Sequence, residues 1–275
     1  MFPRVHCLPR VYPLCRDALL RSRGQLSHSL AWTTTHTSRR PFDTVVSDET
    51  AGADTHDDTG VDGIRLGADE AGKGPVLGPM VAGAVRADPA VLPADVDDSK
   101  RVSVPQRETL AAELRADDRV ATATAAVAVD EIDDPKTDMN GLTVTAQVRA
   151  LAAVAQSGDD AVVDAGDTSE ARFGRRVADG LDDVTVHATH RADEHDPVVA
   201  AASVLAKVER DRRIDVIDAR HDQPVGSGYP SDQTTRAFLA DYVDREGELP
   251  PAARASWQTA TDVLDAAAQS GLDEF

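Results

Sequence analysis

From residue 63 onward, apolar side chains recur first at every second position and later at every third or fourth, which predicts strands followed by strand–helix units. IRLGAD (64–69) reads as a strand, VLGPMVAGAVRA (76–87) as a second with small residues on one face, and RVATATAAVAVD (119–130) as a third. Three strands in succession predict a meander. In GLTVTAQVRALAAVAQS (141–157), Leu142, Val144, Val148, Leu151 and Val154 fall at helical spacing. A short apolar strand (160–166), a helix (171–181) and another strand (183–190) follow. The strongest helix covers 197–221, with Pro197 in the tolerated first turn and Val199, Ser203, Ala206 and Arg210 along its i+3/i+4 rows. Helical stretches at 231–246 and 252–270 close the chain. The pattern predicts an α/β sheet with a helical C-terminal cap, folded over 63–268, and no internal repeat is visible.

Composition adds a setting. Acids outnumber bases by 48 to 29, a net charge of -19. The bases are mostly Arg, with Lys only at Lys73, Lys100, Lys136 and Lys207. Such self-repulsion is relieved by strong salt, where the Debye length falls to about 3 Å at 1 M, so a salt-rich cytoplasm is the expected compartment. Residues 1–45 break the pattern: Arg4, Arg10, Arg16, Arg21, Arg23, Arg39 and Arg40 face only Asp17 and Asp43. This Arg-, Ser- and Thr-rich stretch looks like a transit peptide but has no apolar run long enough for a signal peptide or a membrane span. A start codon assigned too far upstream is the preferred reading, with the true start between Val45 and Val61. Residues 47–62, small and acidic, read as linker, so 1–62 is a non-conforming extension. Both cysteines, Cys7 and Cys15, lie in it, which leaves the body no thiol for a disulfide or zinc site.

The candidate chemistry sits at predicted strand ends. GADEAGKGPVLGPM (67–80) places Asp69 and Glu70 at the end of the first strand, directly before a Gly72-Lys73-Gly74 turn. Gly67 to Lys73 satisfies the opening of a phosphate-binding loop. That reading fails, because Gly74 stands where a magnesium-holding Ser or Thr is needed, the two acids would repel a triphosphate, and Pro75 and Pro79 prevent the following helix. Read as metal ligands, the acids acquire a purpose that a plain Gly-rich turn does not supply. Asp164 closes the apolar run AVVD, and Asp193 follows a strand and precedes the long helix; strand-end carboxylates can converge at one sheet edge. Oxygen donors without Cys or a His pair select hard ions, Mg²⁺ or Mn²⁺. His187 and His190 have neither helical nor strand pair spacing.

DEAGKGPVLGPM, DSKRVS (98–103), VVDAGD (162–167), ADEHDPVVAAASVLAKVERDR (192–212) and GSGYPSD (226–232) occur in the order and approximate spacing of ribonuclease HII, and the chain resembles its archaeal branch over about 63–275. The resemblance implies a ribonuclease H-like mixed sheet with flanking helices and a C-terminal helical subdomain. It places the catalytic, metal-binding carboxylates on Asp69, Glu70, Asp164 and Asp193, with Asp167 the nearby acid that could be mistaken for Asp164. It implies that the backbone of Gly72, Lys73 and Gly74 contacts the ribonucleotide 2′-OH and that Tyr229 stacks at the RNA–DNA junction. Lys100, Lys207 and Arg210 are then expected to contact substrate phosphates, since three of the four lysines fall inside matched motifs.

The activity so implied is two-metal hydrolysis of the RNA strand of RNA–DNA hybrids and at ribonucleotides embedded in DNA, leaving a 5′-phosphate and a 3′-hydroxyl. A ribonuclease HIII-like enzyme and a catalytically weak hybrid-binding protein are the alternatives. A monomer without membrane attachment is expected. In the terminal QSGLDEF, Gln269, Leu272 and Phe275 at i, i+3 and i+6 resemble the short peptide that docks on a sliding clamp of the proliferating cell nuclear antigen type.

Overall fold

A computed structural model describes residues 63–96 and 103–272, with side chains as far as Gln269. The extension 1–62, Lys100 with most of DSKRVS, and the side chains of Leu272 and Phe275 lie outside the described residues.

Five strands form one mixed sheet: β1 (Arg65–Ala71), β2 (Met80–Ala87), β3 (Ala121–Val127), β4 (Asp160–Asp164) and β5 (Thr185–Thr189). Their order is β3-β2-β1-β4-β5. The meander is present, since β1, β2 and β3 pair antiparallel in sequence order. β4 and β5 then add parallel to β1's other edge, so β1 is central and buried through its middle.

Two helical layers cover the sheet. On one face lie α3 (Met139–Leu151) and α4 (Glu170–Ala178), packed on Leu66, Ala68, Met80, Ala82 and Val163. On the other lie α1 (Val104–Ala116) and α5 (Pro197–Asp218), packed on Val85 and Ala87. A four-residue helix, α2 (Val129–Ile132), links β3 to α3. α5 starts where Asp196 accepts hydrogen bonds from Val198 N–H (2.9 Å) and Val199 N–H (3.2 Å), with Pro197 in the first turn. It lies unusually close to the sheet, because the strands present glycine to it. A Cβ on Gly67 would come within 2.5 Å of the Val198 backbone, and one on Gly83 within 2.2 Å of the Ala202 carbonyl.

The cap is built from α6 (Gln233–Glu246), α7 (Gln258–Leu272) and the loops before them, around Val76, Leu77, Ile214, Phe238 and Leu239. Three expectations need correction. Helix α1 interrupts the predicted run of strands; Ser103 opens it, with the Gln106 side chain accepting from the Ser103 N–H at 2.9 Å. Residues 76–79 do not extend β2 but form a loop whose Leu77 bridges to Ala253. The last helix begins at Gln258 rather than 252, because 252–257 is an irregular segment held against that loop. Among the described residues no helix is long and apolar enough to cross a membrane.

Candidate active site

Successive side chains of a strand point to opposite faces, so Asp69 and Glu70 at the end of β1 are managed by different layers. Asp69 shares Gly67's face and meets α5, where the Ser203 hydroxyl hydrogen-bonds to it. Gly83, its register partner on β2, is the residue whose missing side chain lets α5 come this near. Glu70 faces α3, where the amide of the fully buried Gln147 donates to Glu70 Oε2 at 2.8 Å and to the Asp164 carbonyl at 2.9 Å.

Asp164 ends β4 one step beyond the Ala68–Val163 pair, which sets it beside Asp69 across a parallel ladder. Its Oδ1 accepts from Ala192 N–H at 2.9 Å, anchoring the single 3₁₀ turn Ala192–Glu194 that carries Asp193. Arg191, just before that turn, adopts a left-handed φ of 56°, a conformation that costs a non-glycine residue about 1 kcal/mol or more and tends to mark functional turns. Asp69 is 5% and Asp193 8% exposed.

These acids disturb one another. Burial holds Asp69 above the ordinary carboxylate range, reinforced by the charges of Asp164 and Asp193 and opposed by Ser203. Burial likewise raises Glu70, with Asp69's charge adding to it and Lys73 and Gln147 opposing. Neighbouring, buried, all-oxygen carboxylates of this kind fit a hard divalent cation, which would remove the repulsion. Among the described residues no three His, Cys, Asp or Glu side chains already stand as a metal cage. Asp69 Oδ1 accepts from Glu70 N–H at 2.7 Å, while Glu70 and Asp164 each use an oxygen on protein donors.

Asp167 has a different occupation. Arg172 grips it through Nε (2.9 Å) and Nη2 (2.6 Å), which holds its carboxyl well below the usual range, at about 2. His190 bonds the Asp167 carbonyl and Glu170, and His187 lies on the outer strand β5.

The residues expected at the substrate are held by the protein. Lys73 Nζ donates to the Gly166 carbonyl at 2.6 Å and lies 3.9 Å from Glu70. Lys207 Nζ donates to Ser203 Oγ at 2.8 Å, beneath Asp69. Arg210 is buried, donates to the Ser227 carbonyl and stacks its guanidinium 4.9 Å from the centre of the Tyr229 ring, which is 39% exposed. Tyr229 follows Gly228, a left-handed residue whose carbonyl accepts from Val76 N–H (2.8 Å) and Leu77 N–H (3.2 Å). The tyrosine loop and the glycine turn are thus one hydrogen-bonded unit. Gly74 is open on its side-chain side, with nothing within 4 Å of a Cβ placed there. Gln269 is exposed on α7.

Three residues carry no prediction from sequence chemistry: Gln147, Ser203 in its role as a partner of Asp69, and Arg254 of the cap, which donates to the Gly72 and Lys73 carbonyls of the glycine turn. Gln147 had a signal, being the polar residue one turn from Val144 and Leu151 on a buried helical stripe. Arg254 had none.

Comparisons with known proteins place the chain among ribonucleases. A family model described as Ribonuclease HII matches residues 66–260. A Ribonuclease HII of Halobacterium salinarum is 58% identical over 212 residues, covering 77% of this chain and 99% of the relative. The crystal structure of ribonuclease H2 from Pyrococcus horikoshii OT3 superposes with a TM-score of 0.69 at 35% identity, covering 75% of this chain and 99% of that one. Ribonuclease HII from Archaeoglobus fulgidus, solved as a PCNA:RNase HII complex, gives a TM-score of 0.65 at 34% identity, covering 71% of this chain and 95% of that one. On the family match over residues 66–260 and these relatives, the chain belongs to the ribonuclease HII family of ribonuclease H endonucleases.

Proposed function

We propose that the protein hydrolyses the RNA strand of RNA–DNA duplexes and cuts at ribonucleotides embedded in DNA, leaving a 5′-phosphate and a 3′-hydroxyl. The observation that supports this reading is that Asp69, Glu70 and Asp164 lie at the ends of the adjacent strands β1 and β4, with Asp164 bonded to the turn that carries Asp193 and the glycine turn following β1. Asp69, Glu70, Asp164 and Asp193 would hold Mg²⁺ or Mn²⁺. Divalent ions bound there supply an activated water and stabilise a leaving oxygen.

The remaining work falls to the chain. Ser203 and Gln147 hold Asp69 and Glu70 on opposite faces of β1, so their charges meet only at the strand end. The backbone of the Gly72-Lys73-Gly74 turn reads the 2′-OH, the group that separates ribose from deoxyribose. Tyr229, backed by Arg210, offers a flat face for stacking at the junction with DNA. The glycine turn is separated from Glu70 only by Ala71 and the Tyr229 loop is bonded to the segment that follows the turn, so turn, loop and carboxylates are proposed to act on one scissile bond. The tail with Gln269, Leu272 and Phe275 is proposed to dock on a sliding clamp, a reading supported by the PCNA complex of the Archaeoglobus fulgidus relative.

The test is cleavage of a DNA duplex with one ribonucleotide, with and without Mg²⁺ or Mn²⁺, followed by analysis of the new ends. Metal-dependent cutting beside the ribonucleotide with a 5′-phosphate is expected. Binding without cutting under every metal condition would refute the enzymatic reading.

A further inference from the structure

The cap contributes an arginine that the proposed mechanism does not use. Arg254 is fully buried, and among the described residues no carboxylate lies within salt-bridge distance of it. Burial pushes its guanidinium down to about 10, helped by Arg210 and opposed by Asp133. A buried cation without an acid is costly unless strong acceptors meet it. Here they are carbonyls, and all belong to one loop. Nη2 donates to Gly72 O at 2.6 Å, Nη1 to Lys73 O at 3.0 Å and Nε to Gly78 O at 2.9 Å. Trp257, whose ring lies under the guanidinium at 4.8 Å, adds its indole N–H to Gly74 O at 3.1 Å. The gripping segment is itself fixed, since Asp133 accepts from Ala255 N–H (2.8 Å) and Ser256 N–H (3.0 Å).

Peptide planarity turns this grip into an orientation. In a trans peptide the C=O of one residue points opposite to the N–H of the next, and no described peptide bond is cis. Carbonyls of Gly72 and Lys73 drawn inward therefore aim the amides of Lys73 and Gly74 outward. The other two gripped carbonyls, of Gly74 and Gly78, precede Pro75 and Pro79, which have no N–H to aim. The grip exposes two consecutive amides and wastes none. Neither amide donates to an acceptor among the described residues, and Gly74 opens onto free space.

From this geometry we infer that Arg254, with Trp257, is a positioning residue for ribose selectivity. It acts through the Lys73 and Gly74 amides and does not touch the substrate. The inference rests on the reading of the glycine turn as the 2′-OH reader. A mere tether between cap and sheet would need one such bond; three to the successive carbonyls of Gly72, Lys73 and Gly74, with a fourth to Gly78 farther along the loop, define the turn's conformation.

The test uses Arg254→Lys, which keeps the charge and loses the fork, and Trp257→Phe, which keeps the stack and loses the indole N–H. For each, KM is measured on a duplex with one ribonucleotide, and Ki on the same duplex made entirely of DNA, used as a competitor of cleavage. The ratio Ki/KM reports ribose selectivity and is unaffected by the fraction of active protein, which a purely structural defect would change. The parent should show a ratio well above one. Arg254→Lys should lower it by about tenfold, the worth of an aligned hydrogen bond, and Trp257→Phe by less in the same direction. Should Arg254→Lys fail to fold, Trp257→Phe decides. A selective parent whose folded variants stay within about twofold of it overturns the role of Arg254 alone. A parent with a ratio near one overturns the reading of the turn, and this inference with it.

Discussion

A single methyl group added at Gly83 tests whether the distance between α5 and the sheet sets the site. In Gly83→Ala the new Cβ would lie 2.2 Å from the Ala202 carbonyl oxygen and 3.0 Å from the Ala206 nitrogen, both backbone atoms. Restoring an ordinary contact of about 3.5 Å requires α5 to retreat by roughly 1 Å. No rotamer can relieve the clash, since a methyl has none and a helix backbone moves only as a unit. Overpacking of this kind costs about 1–3 kcal/mol, which at 2–4 °C per kcal/mol for a domain of this size lowers Tm by roughly 2–12 °C. The functional cost should be larger. Ser203 follows Ala202 directly and bonds Asp69, which pairs with Gly83 across the strands, so the shift is delivered to the first carboxylate. Misplacement by about 1 Å can cost on the order of 10²-fold in rate. Thermal unfolding and single-turnover cleavage at saturating protein separate the two effects, and Gly74→Ala, where nothing lies within 4 Å, is the stability control. A Gly83→Ala protein with the parent's Tm and cleavage rate would refute the claim that this contact is tight.

Other substitutions probe the remaining parts. Asp69→Asn should abolish cleavage and leave the fold intact, because an amide cannot replace a carboxylate charge at a hard cation; a folded Asp69→Asn enzyme with near-parental turnover would show the site misassigned. Tyr229→Ala should weaken cutting at a lone ribonucleotide by the equivalent of about 1–3 kcal/mol of stacking, and unchanged rates there would exclude the stacking role. Deleting residues 269–275 should preserve cleavage of short duplexes while removing clamp binding in a pull-down at high salt; equal capture of both forms would contradict the tail's assignment. Binding of all-DNA duplex should depend weakly on salt, with a slope of log K against log salt shallower than about -3, and a slope beyond about -5 would mean many more phosphate contacts than the fold provides.

What was legible in the sequence follows physical lines. β1 and α5 were readable because burial on both sides leaves a dense apolar and small-residue pattern, and the acids at their ends stand out against it. Helix α1 was hidden because only Leu110, Ala111 and Leu114 are buried on it, although Ser103 and Gln106 carry a helix-start signature. The segment 252–257 reads as helix because Ala-rich sequence has no local breaker, while what unwinds it is a set of bonds to residues about 180 positions earlier. Arg254 was invisible for the same reason, since an arginine's acceptors are known only once the chain has returned. Convergence of the carboxylates also needed the strand order, because nothing local says that β4 lies beside β1.

The disposition of the basic residues bears on how so acidic a chain meets a polyanion. At a net charge of -19 the overall field opposes nucleic acid, so attraction at long range is no help. A surface cation facing phosphate loses its worth as salt rises, by roughly 0.9 in log K per contact and decade. A cation turned inward against a carbonyl keeps its worth, because salt barely screens buried contacts. Lys73, Lys207, Arg210 and Arg254 each bond an acceptor of the protein, respectively Gly166 O, Ser203 Oγ, Ser227 O and the loop carbonyls of Gly72, Lys73 and Gly78, and the two arginines are buried. On the proposed reading, their charge would serve to aim amides, hold an aromatic ring and steady carboxylates. Recognition would, on that same reading, then rest on short-range hydrogen bonds, stacking and bound cations, which act only once the duplex is seated and which salt weakens least.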